Sequence, residues 1–157
     1  MARSVGSIAA GYSQVFTSLK DRGYETAIAM GYSVDYQIKE LGMLPESVSH
    51  EISWPCSFSE ISNICSHKQL SNTFALEQAN LWEKIVKQLP DNEKCLIISH
   101  GGILELGAVK LSAEESFEKW GGAIGYCEGL RFIYEDSKFY LDEVLRVDEC
   151  DRLIHST

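Results

Sequence analysis

Two short stretches of this chain combine residue types that bind anions. In the first, the apolar run Cys95-Leu96-Ile97-Ile98 ends at Ser99-His100-Gly101-Gly102, after which a helix-compatible segment begins. A strand that stops at two glycines turns tightly, and the helix beyond it presents unpaired N–H groups and a positive dipole end. His100 at such a turn can face an anion such as a phosphate and donate a hydrogen bond to it, with Gly101 lending backbone to the cradle. The spacing fits a plain strand-to-helix turn with a polar, exposed histidine equally well. In the other stretch, Tyr12–Thr17 reads as a short strand and Ser18–Met30 as a helix, with Ser18 near its N-cap and Arg22 close to its first turn. A guanidinium there can fork onto a phosphate held between two such turns. The competing reading is a solvated Arg22 paired with Asp21 or Glu25.

The elements that must position these groups follow from pattern. Cys95–Ile98 has the composition of a strand buried on both faces. Gly31 is placed to close the Ser18–Met30 helix at C′. Thr73–Leu89 is amphipathic, with Phe74, Leu81, Trp82, Ile85 and Leu89 on one side. Ser57-Phe58-Ser59-Glu60 fits a capping box opening a helix through His67, and that role accounts for Glu60 without catalysis. Ser112-Ala113-Glu114-Glu115 reads as a further capping box, its helix ending at Gly121-Gly122. Val48–Trp54 alternates weakly and reads as an edge strand stopped by Pro55, and Met1–Ala10 reads as part of a helix. Gly129–Tyr134 and Lys138–Val144 predict a hairpin about Glu135-Asp136-Ser137, and the polar tail from Asp148 is expected to fray. Successive strand-then-helix units with a terminal hairpin predict an α/β fold: a three-layer α/β/α sandwich with a mostly parallel sheet and a C-terminal antiparallel hairpin.

Length and composition set the outer bounds. A chain of 157 residues with 45% hydrophobic and 24% charged residues reads as one domain, 1–157, with a proper core. A formal charge of −9 argues against nucleic acid as a partner but leaves room for a small phosphorylated molecule. The 5 cysteines are odd in number and lack a C-x-x-C pair, which favours free thiols in a reducing compartment over a disulfide framework or a zinc site. No run is apolar enough to span a membrane and no signal peptide is read. A cytoplasmic protein without metal or cofactor is expected.

The two stretches together resemble a known family. Ile98-Ser99-His100-Gly101-Gly102 resembles the second-histidine motif of the histidine phosphatase (phosphoglycerate mutase-like) superfamily. Val15–Ala27 resembles its T-S-P-x-x-R-x-x-x-T-A motif, with Leu19 in place of the proline and Arg22 and Thr26-Ala27 in register. The order of the motifs and the long helix between them agree, and the resemblance covers residues 2–146. It implies a phosphoglycerate mutase-like fold that handles phosphate monoesters, as a hydrolase or a phosphomutase. Arg22 and His100 would be the catalytic pair, and Ser18 and Gly101 would join them around the phosphate.

The chain also departs from the family. Members begin with a strand ending in Arg-His-Gly, whose histidine becomes phosphorylated, and this sequence contains no Arg-His pair. Met1 aligns within the helix that follows that strand, so the strand is expected to be absent through a displaced start or a truncation, and activity impaired. Glu40, or Glu46, is the carboxylate left for acid/base work. The absent strand would lie between Cys95–Ser99 and the hairpin, leaving an open edge flanked by Leu96, Ile98, Phe132 and Tyr134 through which self-association is expected. A phospho-ligand-binding module derived from the fold, and a purely structural or interaction domain, are the competing readings.

Overall fold

The computed structural model describes residues 11–147; the helix expected over Met1–Ala10 and the tail from Asp148 lie outside the described residues. Among the described residues the architecture is mixed α/β. β1 (Gln14–Thr17) leads into α1 (Asp21–Ala29), followed by β2 (Tyr36–Gln37), a 3₁₀ turn (Lys39–Gly42) and α2 (Glu46–Ser49). Then come α3 (Phe58–His67), α4 (Gln69–Lys87), β3 (Cys95–Ile98), α5 (Ile103–Leu111), another 3₁₀ turn (Glu118–Trp120) and the strands β4 (Gly129–Glu135) and β5 (Lys138–Leu145). No helix among the described residues is long and apolar enough to cross a membrane.

The first three strands form an all-parallel sheet in the order β2-β1-β3, with Val15 opposite Leu96 and Thr17 opposite Ile98. The hairpin forms a separate antiparallel sheet, β4-β5, attached to the end of α5 by the Ser112–Phe139 bridge and by the Ala113 N–H on the Phe139 carbonyl at 2.9 Å. No ladder joins β3 to the hairpin among the described residues. Among the described residues β3 pairs with β1 alone, and all four of its residues are only partly buried. That corrects the expectation of a strand covered on both faces.

The helices carry the core. Phe58, Ile61, Leu41, Ile103 and Leu106 are fully buried, each such side chain contributing roughly 1.5–3 kcal/mol by leaving water. α4 and α5 pack so closely that a methyl group on Gly107 would lie 2.4 Å from the Trp82 ring. α4 starts earlier than the apolar pattern suggests because Ser71 donates both its N–H (2.8 Å) and its hydroxyl (2.6 Å) to Glu51, which satisfies first-turn donors from outside the helix.

Other elements separate correct from incorrect expectations. The Ser57–Glu60 capping box forms as the sequence suggests, Glu60 N–H to Ser57 Oγ at 3.3 Å and Ser57 N–H to Glu60 at 2.7 Å. α1 ends in a Schellman motif: Gly31 N–H reaches Ile28 O and Tyr32 N–H reaches Ala27 O, both at 3.0 Å. Val48–Trp54 is not a strand. Its buried residues, Val48 and Ile52, are four apart, the spacing of a helical turn, and α2 occupies the start of that stretch. The helix expected from Ser112 does not form either. Ser112 Oγ accepts the Glu114 N–H two residues on, at 3.1 Å, and the Glu114 carboxylate takes the Trp120 indole N–H at 2.8 Å. These bonds commit the capping groups to a turn instead of a helix.

Candidate functional site

β1 and β3 are adjacent and parallel, so the turns leaving their C-terminal ends emerge side by side. Arg22, on the first turn of α1, extends its Nε–H to His100 Nδ1 at 3.0 Å across 78 positions of sequence. Ser18 Oγ lies 2.7 Å from His100 Nε2. An arginine Nε always carries its proton, so His100 Nδ1 accepts, and the neutral imidazole holds its own proton on Nε2 and donates it to Ser18. Protonating Nδ1 would set two N–H groups against each other. Burial, then the charges of Arg22 and Lys20, hold the His100 pKa below the ordinary histidine value.

Ser18 is fully buried. Its Oγ also accepts the Lys20 N–H at 3.2 Å, and its carbonyl takes the Thr17 hydroxyl at 3.1 Å and the Gln37 side-chain amide at 3.3 Å. Two glycines make room for it: a methyl on Gly23 would lie 2.9 Å from Ser18 Oγ, and one on Gly42 2.8 Å from Ser18 Cβ. In this structure Ser18 is a buried partner of His100.

The remaining sequence-predicted residues separate. Gly101 is exposed at the tip of the turn, with open space above it. Glu40 sits on the first 3₁₀ turn, where its carbonyl accepts the Gln78 amide at 3.0 Å. It lines a groove with Phe74 and Glu77, and no described contact links it to Arg22 or His100. Glu46 reaches His50 at 3.6 Å on an exposed surface. His67 bonds its own helix at Asn63 O, 2.9 Å away. His155 is outside the described residues.

Three contributors are not evident from the anion-binding motifs. Glu105 is buried, and its carboxylate accepts the Gly102 N–H at 2.6 Å and the Ile124 N–H at 2.9 Å. The Glu105 carboxylate thus takes one backbone donor at the N-terminus of α5, the Gly102 N–H. The signal was Glu105 three residues after a glycine N-cap, half of a capping box. Gly23, a glycine inside a helical pattern, was the sign of close approach to Ser18. Lys20 was the third.

Among the described residues neither Lys20 nor Arg22 has a carboxylate within 4.0 Å, and the Arg22 Nη groups make no hydrogen bond. The pairing of Arg22 with Asp21 or Glu25 is therefore absent. The charges of both Arg22 and Lys20 act on His100. The four described cysteines are free thiols, and burial is the leading cause that raises the pKa of each, Cys95 to about 11, so none is poised as a thiolate nucleophile. No group of three or more His, Cys, Asp or Glu side chains suited to a metal ion occurs among the described residues.

Comparison with known proteins returned no matching family model, no matching curated protein and no matching solved structure.

Proposed function

We propose that this chain is a histidine phosphatase-like domain, with a three-layer phosphoglycerate mutase-like sandwich, that holds a small phosphate monoester at the Arg22–His100 pair. The observation that carries this reading is the 3.0 Å contact between Arg22 Nε and His100 Nδ1 at the shared end of two parallel strands. Ligands of open α/β sheets bind at that edge. His100, held from behind by Ser18, fixes the angle of the guanidinium through Nε and leaves both Nη groups for phosphate oxygens. Such preorganised positive charge stabilises a phosphoryl group and the charge that develops on it during transfer.

Covalent turnover needs a nucleophile beside that pair. His50 and His67 are occupied elsewhere and no Arg-His pair occurs in the sequence. The domain so read binds a phosphate monoester and does not by itself hydrolyse it at useful rates. Calorimetric titration with phenyl phosphate, paired with a steady-state assay on an aryl phosphate, tests both halves. Saturable binding that Arg22→Gln abolishes and His100→Ala weakens, with negligible turnover, is the expected result. Absence of binding would end the phosphate reading. Turnover of about 1–10³ per second, lost in His100→Ala, would show that His100 is itself the nucleophile.

A further inference from the structure

Resting on that reading, we infer that Lys20 is a ligand-binding residue, supplying the second positive charge that matches the site to a dianionic phosphate monoester over a monoanionic diester. Lys20 is the N-cap residue of α1, the last of the three residues after β1, and its backbone N–H is tied to Ser18 Oγ at 3.2 Å. Its stem runs beside Gly42, where an added methyl would come within 3.5 Å of Lys20 Cγ as well as of Ser18. The side chain therefore leaves the turn on the flank of Ser18, the partner of His100, and its charge acts on the His100 ring. It is exposed and has no carboxylate partner among the described residues.

Charge counting explains why another cation is needed. His100 is neutral in this arrangement, because both ring nitrogens are committed, one to Arg22 and one to Ser18. Arg22 alone neutralises only half of a phosphate dianion. Lys20 and Arg22 together neutralise it fully, whereas a diester, with one charge, already finds its match in Arg22. Lys20 caps no helix donor with its side chain, so removing its charge leaves the fold of the turn intact.

The test compares phenyl phosphate with diphenyl phosphate at pH 8, by calorimetry, in the unmodified chain and in Lys20→Gln, Lys20→Arg, Arg22→Gln and Lys84→Gln. Lys20→Gln is expected to weaken phenyl phosphate about fivefold, the reach of one solvent-exposed charge contact, and diphenyl phosphate by less than about twofold. Lys20→Arg retains affinity, and Lys84→Gln, remote on α4, changes nothing. Unaltered monoester affinity in Lys20→Gln, with Arg22→Gln still abolishing it, overturns the role of Lys20 and leaves the phosphate reading standing. An equal loss in Lys84→Gln assigns the effect to net charge and also overturns it. No binding of either ester by the unmodified chain removes both proposals.

Discussion

The turn from β1 into α1 presents Lys20 and Arg22 without carboxylate partners among the described residues, whereas the turn from β3 into α5 closes on its own Glu105. Both leave the same end of one parallel sheet. Judged by residue types alone, the turn after β3 is the better anion site, with two glycines and a helix start. Its Gly102 N–H is bound by an internal carboxylate, and the cationic side chains Lys20 and Arg22 come from the turn after β1. A helix N-terminus is an anion site only while its donors remain free.

The largest expected effect tests the closed turn. Glu105→Ala leaves the buried Gly102 N–H and the partly buried Ile124 N–H without acceptors; the cost should be about 2–4 kcal/mol, read by urea denaturation. A loss below about 1 kcal/mol would mean that water reaches those donors and that the turn is not closed.

Next is the glycine pair of the same turn. Gly102 has φ +86°, and a methyl on it would lie 3.1 Å from both Leu44 Cδ2 and Trp54 Cζ2. Gly102→Ala should cost about 2 kcal/mol from backbone strain and crowding, while Gly101→Ala, into open space, should stay within about 0.5 kcal/mol. Similar costs at the two positions would contradict this geometry.

The smallest effect concerns the open turn and is electrostatic. The His100 imidazole should titrate below the ordinary histidine value of 6.5, and Lys20→Gln and Arg22→Gln should each move it upward. Following its ring protons by NMR decides this. Because the folded pKa is depressed, the unfolded chain binds the proton first. The stability tied to neutral His100 is therefore complete above about pH 6.5 and is lost as pH falls from there through the folded pKa. Comparing the acid limb of stability with that of His100→Gln isolates this contribution from the many carboxylates. An upward-shifted titration would mean that the cations do not face the ring.

Legibility followed how local each determinant was. The Ser57–Glu60 cap and the Gly31 stop were readable because all their partners lie within a few residues. The meeting of Arg22 and His100 was readable because the strand-to-helix spacing places both at one sheet edge. Val48–Trp54 was misread because its weak alternation concealed an i, i+4 pair that packing selected. Ser112 was misread because Glu114 has a distant partner, the Trp120 indole, that no local pattern announces. The burial of Ser18 and the partial exposure of β3 depend on neighbours far along the chain, Gly42 for one and, for the other, a hairpin that forms its own sheet without a ladder to β3 among the described residues.

The crowding at Gly102 also has a bearing on how this molecule can be observed. Of its 3 tryptophans, Trp82 and Trp120 are buried, and Trp54 is 36% exposed, with its ring leaning over the turn that carries His100. The chain therefore has a built-in fluorophore beside the site. Its emission is expected to the red of the two interior indoles, and a change in its intensity or wavelength is the expected signal of ligand arrival or imidazole protonation, read without a label.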